Sequence, residues 1–472
     1  MRRLLLPAAL LLPLAVSAEP KPIEPGRRDS ERAVKSGVDP DLQKRIDKAI
    51  DQARTYLTKA LTAPPPAPPA AGAPAGPKTK KAPPPETPLF TLFQHGGAEE
   101  ALIGLALVQS GSTPQDPLVQ HIWNDLQGIS KGRYRDTYPS YNTYSLAVQL
   151  MFGDAMMHAP VGKPWPPPDQ RDEVLAWMTK LAENLAAGCH GGTWTYACPM
   201  NYTAPTGDPK KPYKVEGGEK TLGLDGPALL AAIAVKDGSY DHSNTQYGIL
   251  GLKAAQLCGV KLKTELHWDQ ILQHFITTQW KDGPKLKLKV EFQARKKPAA
   301  SSKEKSPEKG WEEVFTAGKV DENARARGWM YQPPSNGGPC ISMTAAGLTA
   351  LLIARSEVGR LKTAEQDLVD EAIRDGVAWF QQNWNMPVNG YDMYGMERMA
   401  VLGSLQSIGK HAWYEELATE LVKTQVADGS WDAAKAFPPY GPKANTALSL
   451  LVLCRGTREA YSQPYTVGEA EK

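Results

Sequence analysis

Cysteine is scarce in this chain, an excess of one charge is missing, and past the first eighteen residues no apolar run could cross a bilayer. The five cysteines are Cys189, Cys198, Cys258, Cys340 and Cys454, too few for a disulfide scaffold, so the fold must rest on a buried core. Cys189 and Cys198 flank a turn that a bridge could staple. Cys258 and Cys454 sit near the ends of apolar helices and read as buried thiols. With 54 basic against 51 acidic residues the formal charge is +3. That balance gives no electrostatic case for nucleic acid or a membrane surface as the main partner.

The one apolar run stands at the start. Arg2 and Arg3 precede Leu4 to Val16, and Val16-Ser17-Ala18 suits a small-residue cleavage site. This is the pattern of a secretory signal peptide, 1–18, and the run is too short for a spanning helix. The expectation is an exported protein, periplasmic or extracellular, cleaved near Ala18. A length of 472 residues allows two or three domains by size, but repeat folds run longer as one body.

Apolar spacing predicts helices in pairs. Leu42, Ile46, Ala49, Ile50, Ala53, Leu57 and Leu61 place an amphipathic helix over 41–61 of an N-terminal segment 19–62. Residues 63–88 are mostly Pro, Ala, Gly and Lys and read as an extended tether. Further amphipathic helices are expected near 115–127, 171–186, 267–279, 365–384 and 412–425. Between them lie segments rich in small residues and poor in charge, near 96–109, 141–158, 244–258, 342–355, 394–408 and 444–455. A helix apolar nearly all round is buried. Six wet helices, the one at 41–61 included, and six buried ones predict an all-α fold, an (α/α)6 toroid of six inner and six outer helices with its repeat domain over 89–458. Long insertions are expected near 199–243 and 284–327, with a tail at 459–472. The second insertion is strongly basic and reads as an exposed, partly disordered loop.

The pairs repeat a motif. Its clearest copy is Gln425-Val-Ala-Asp-Gly429-Ser-Trp431 before the helix TALSLLVL. Looser copies carry Gly192-Thr193-Trp194, Gln279 with Asp282-Gly283, Gly328-Trp329 and Gly390-Tyr391. This resembles the QxxDGxW repeat of squalene cyclases, a family that also includes protein prenyltransferase β-subunits. The resemblance implies an α/α toroid with any active site in a central cavity, where loops enter the inner helices. Gln425 and Trp431 themselves read as joinery, one satisfying backbone groups at a helix end and the other packing over the next repeat.

The reaction motifs of that family are missing. No DxDD acid tetrad, no Asp-x-Cys zinc pair and no GCGEQ thioester occurs here. A fold without its reaction motif does not license the reaction. Cys189-His190-Gly191 resembles the CHG element of lanthionine cyclases, which bind zinc on a similar toroid, but no spacing identifies a third ligand. No cofactor is therefore expected, and Cys189 and His190 are the zinc candidates.

Polar residues at the starts of the inner helices are the better candidates for a ligand site. Asn142, Tyr144, His242, Asn244, Tyr247, Tyr391, Tyr394 and Arg398 are the binding candidates, and Asp241, Asp392 and Glu397 the catalytic ones. Asn and Ser/Thr there also cap helices, and a buried Glu397 or Arg398 requires a partner or a function. The reading favours a binding module for an apolar small molecule, a glycan or a protein. The alternative is an exported enzyme, either a divergent terpenoid-type cyclase or a polysaccharide hydrolase or lyase using two carboxylates.

Overall fold

The computed structural model describes residues 38–62, 97–130, 141–198, 240–264, 266–296, 313–332, 337–358, 361, 363–431 and 441–462. The expected signal peptide and tether lie outside them. So do most of the first insertion, the basic middle of the second and the tail beyond Ser462.

Among these residues the chain is predominantly helical, with twelve α-helices and few strands. The amphipathic helices are α1 (Pro40–Thr62), α3 (Pro117–Ser130), α5 (Arg171–Ala187), α7 (Trp268–Thr278), α9 (Thr363–Gln382) and α11 (Trp413–Thr424). Alternating with them are α2 (Ala98–Gln109), α4 (Thr143–Met157), α6 (His242–Leu257), α8 (Ile341–Glu357), α10 (Gly390–Leu402) and α12 (Pro442–Cys454). In this second set nearly every position is buried, because apolar and small side chains surround each axis. No described helix is long and apolar enough to cross a membrane.

Each buried helix packs on the next: α2 on α4, α4 on α6, α6 on α8, α8 on α10 and α10 on α12. The sequence of contacts then returns, α12 packing on α2. Although first among the described helices, α1 packs against α11 and α12. It starts after Asp39, whose carboxylate accepts from Asp41 N–H at 2.9 Å and Leu42 N–H at 3.2 Å.

One joint recurs three times. The backbone N–H groups of Trp194, Trp329 and Trp431 each donate at 3.1 Å to a hydroxyl at the start of the next buried helix, from Thr245, Thr344 and Thr446. Their indole N–H groups donate back to Leu185, Phe275 and Leu421 of the preceding amphipathic helix, at 2.7, 2.8 and 2.9 Å. Two glutamines add a second tie. Gln279 donates to Arg327 O and to Ala372 O of α9, both at 2.9 Å. Gln425 donates to Gly429 O at 3.0 Å and to Ala49 O of α1 at 2.9 Å. So α1 stands to α11 as α9 stands to α7. Gly429 has φ +90°, and a Cβ there would run into the backbone carbonyl of Gln52, so this turn requires glycine.

The second insertion departs from expectation. Instead of a loop throughout, β3 (Lys285–Lys296) and β4 (Glu313–Arg325) pair antiparallel, and β5 (Leu405–Ile408) joins the other edge of β3. The cause is the alternation Leu286, Leu288, Val290, Phe292 between charged residues, which gives one buried and one wet face. The helix expected to run to 408 stops at Leu402, because Ser404 turns left-handed at φ +53° and the chain leaves as β5. A shorter antiparallel pair joins β1 (Tyr141–Asn142) and β2 (Ala197–Cys198).

Candidate functional site

The second residues of α4, α6 and α10 are Tyr144, Ser243 and Tyr391, and their hydroxyls meet. Tyr144 donates to Ser243 Oγ at 2.5 Å, and Ser243 Oγ hydrogen-bonds the Tyr391 hydroxyl. Gln246 joins through Nε2 to the Tyr391 oxygen at 2.9 Å, and its Oε1 accepts from Arg398 at 2.9 Å. Arg398 also donates to the Tyr247 hydroxyl at 3.3 Å. Its guanidinium carbon lies 5.0 Å from the Tyr247 ring centre and 4.4 Å from that of Tyr394. Arg398 is fully buried, and among the described residues no carboxylate pairs with it and its Nε has no acceptor. Ring faces and neutral oxygens carry the charge instead. Tyr247 and Tyr391 stack at 6.2 Å, so these side chains fill the space between α4, α6 and α10.

Toward solvent this network ends on two phenols. Tyr196 and Tyr331 are 39% and 42% exposed, and their hydroxyl oxygens lie 2.9 Å apart. Beneath them is Asp241, which caps α6 by accepting from Asn244 N–H at 2.6 Å and Asn244 Nδ2 at 2.8 Å. Burial pushes its carboxyl up to about 6, against hydrogen bonds from Asn244 and Tyr331. Burial also raises the Tyr331 phenol, with the Asp241 charge adding to the shift. A ligand at this end meets two half-exposed phenols whose hydroxyls donate or accept, above a buried carboxyl group that holds them.

His242 positions this end rather than lining it. Its Nδ1 donates to Met330 O at 2.6 Å, and its backbone N–H donates to Tyr331 O at 3.1 Å. With Nδ1 protonated, Nε2 accepts, facing His274 Nε2 at 3.1 Å and the Thr278 hydroxyl at 3.2 Å. Burial lowers both rings, His242 to about 4 and His274 to about 3, with the neighbouring His242 adding to the fall at His274. The pair stays neutral and holds the Met330–Tyr331 segment in place.

The remaining candidates do not converge on one cleft. Asn142 lies on β1 opposite Ala197. Asp392 is bound to its own cap: its carboxylate accepts from Asn389 Nδ2 at 3.2 Å, and its backbone N–H donates to Asn389 Oδ1 at 2.8 Å. Burial raises its carboxyl. Glu397 accepts from Thr457 N–H at 3.0 Å and from its hydroxyl at 2.6 Å. Burial raises Glu397 to about 7, partly offset by those bonds. Thr457 belongs to a segment, 455–462, that packs on the far ends of the buried helices, where Arg458 and Tyr461 also bind Asp154 of α4.

Cys189 and Cys340, with Cys258 and Cys454, are thiols rather than disulfide halves. His190 pairs its backbone with Thr193, and burial lowers its ring. Among the described residues the group of three potential metal ligands is a different one, Asp154, His158 and Cys258, with ligand atoms within 4.8 Å. It does not suit a cation. Arg458 already occupies Asp154, and burial beside that carboxylate raises the Cys258 thiol, when a metal needs the thiolate.

Sequence reasoning missed Tyr196, Tyr331 and Ser243. A signal was present for the two phenols, because each follows a joint tryptophan by two positions, Trp194 to Tyr196 and Trp329 to Tyr331. No family model, no curated protein and no solved structure matches this chain.

Proposed function

We propose that this chain is an exported, divergent (α/α)6 toroid of the squalene cyclase and prenyltransferase repeat type, acting as a glycan-binding module. Two observations support the toroid: the contacts of the buried helices return from α12 to α2, and Gln425 ties α11 to α1 as Gln279 ties α7 to α9. The observation that carries the binding reading is the pair of half-exposed phenols over Asp241. Aromatic rings pack on the C–H faces of sugars, while phenol hydroxyls bind sugar hydroxyls.

The enzyme readings find less support. A terpenoid-type cyclase needs an open apolar cavity, and here Tyr247, Tyr391, Tyr394 and Arg398 fill the space between α4, α6 and α10. A two-carboxylate hydrolase or lyase needs both acids on one cleft. Asp241, Asp392 and Glu397 are each bound within a separate set of hydrogen bonds.

Titration calorimetry with neutral oligosaccharides of several linkages tests the reading. Saturable binding without cleavage, lost in the Tyr196→Ala/Tyr331→Ala double variant at unchanged helicity, is the expected result. Cleavage of a bound oligosaccharide, lost in Asp241→Asn, would replace the binding module by the hydrolase. Binding of none of them removes the glycan.

A further inference from the structure

The insertion between Gly283 and Trp329 is not needed by the joint it interrupts. In the copy at Gly429 a single residue separates glycine from tryptophan, yet Trp329 and Trp431 make the same 3.1 Å bond to the next helix. The added chain supplies β3 and β4 of the sheet that β5 completes, and it is pinned to α9 by Gln381. That side chain accepts from Lys289 N–H at 2.8 Å and donates to Lys287 O at 2.9 Å. Between this sheet and the far ends of α8 and α10 lies a cavity of about 410 Å3. Its size falls within the range of small-molecule sites, about 300–1,000 Å3.

The register of the sheet makes the cavity two-sided. β3 turns Leu288, Val290 and Phe292 inward, and their side chains are almost wholly buried. Directly across, β4 sets Asp321 opposite Leu288 and Lys319 opposite Val290 on the same face. The wall is therefore apolar and the lip charged. Most lip charges are already engaged: Arg355 with Asp370 at 2.8 Å, Arg374 with Asp375 at 2.8 Å and Arg327 with Glu371 at 2.7 Å. Lys319, Asp321 and Asp367 have no ion-pair partner among the described residues, and they leave one negative charge in excess.

The geometry points to a second binding site, in which this cavity takes the chain of a single-chain amphiphile and its lip takes a cationic head group. The site is separate from the phenol-lined end and does not depend on the glycan reading. Calorimetry on the whole protein, with dodecyltrimethylammonium, dodecyl maltoside and dodecanoate below their micelle concentrations, tests it. The expected result is one saturable site for dodecyltrimethylammonium, at least tenfold tighter than for dodecanoate. Asp367→Lys, an exposed change that leaves the core alone, should shrink that preference at least fivefold. Val290→Trp, filling the cavity, should abolish binding; if it fails to fold, the Asp367→Lys result decides. Equal affinity for the three heads overturns the cationic assignment. Absence of saturable binding, or affinity unchanged in a folded Val290→Trp, overturns the site.

Discussion

At one end of the buried helices Asp154 and Glu397 are closed over by residues 455–462; at the other, Asp241 lies under two half-exposed phenols. Both ends take carboxyl groups out of water, at comparable cost. The closed end covers them with its own chain. Asp154, 1% exposed, receives Arg458, the Tyr461 hydroxyl at 2.9 Å and the Cys258 thiol. The phenol end instead leaves hydroxyls facing solvent. Burial of an acid therefore does not mark a site by itself; what distinguishes the two ends is whether the acid's partners are closed over or open to solvent.

The largest effect should come from breaking the closed end. Asp154→Ala leaves Arg458 and Tyr461 without their acceptor. Removing one partner of a buried ion pair costs about 3–5 kcal/mol, read by urea denaturation. Tyr461→Phe is milder, since Asp154 keeps Arg458. Loss of a hydrogen bond to a charged group predicts about 1.5–3 kcal/mol. If either substitution proves neutral, the closed end is not a structural clamp and the contrast fails.

A third test separates the ends by pH. Glu397 rises from 4.5 to about 7 in the folded chain, through burial, and Asp241 from 3.8 to about 6. A raised carboxyl pKa means that the folded state holds more protons than the unfolded one across that window. Stability from these groups is therefore full below about 4, falls as pH rises, and levels off above about 7. The lowered rings of His242 and His274 contribute the opposite slope up to about 6.5. The acids are therefore read from the difference in denaturant midpoint between the parent and each acid variant, from pH 4 to 8. The parent's advantage over Glu397→Gln should shrink as pH rises to about 7, and its advantage over Asp241→Asn should shrink only up to about 6. A parent-minus-variant difference that grows with pH would reverse the assigned burial.

Much of the helical framework was legible because helix periodicity is local. The twelve helices follow apolar spacing, and the repeated Trp turns mark where each pair joins. The sheet was hidden by charge: Leu286-Lys-Leu-Lys-Val-Glu-Phe292 alternates with period two, yet its lysines and its basic continuation read as a solvated loop. The start of α10 was misplaced by four residues, since Gly390 and Tyr391 read as a turn, not as the first residues of a helix capped by Asn389. Of the candidate residues, Tyr144, Tyr247, Tyr391, Tyr394 and Arg398 come together, because each stands within three turns of a helix start. Glu397 is their neighbour in sequence, but rotation about the α10 axis aims it at Thr457 instead. Helical phase across different helices depends on packing, which no single stretch of sequence encodes.

The smallest effect on stability is the most informative about function. Tyr331→Phe removes one hydroxyl from a residue 42% exposed, where water can take over its bonds to Tyr196 and Asp241. Substitutions at such positions usually stay within about 0.5 kcal/mol. The matched change at the closed end, Tyr461→Phe, removes the same atom from a wholly enclosed carboxylate and should cost several times more. If the phenol end exists to bind a ligand, Tyr331→Phe should weaken oligosaccharide binding about tenfold while leaving the denaturant midpoint unmoved. A large loss of stability instead would mean that the Tyr331 hydroxyl is needed to satisfy Asp241. The two ends would then differ only in how much water reaches them.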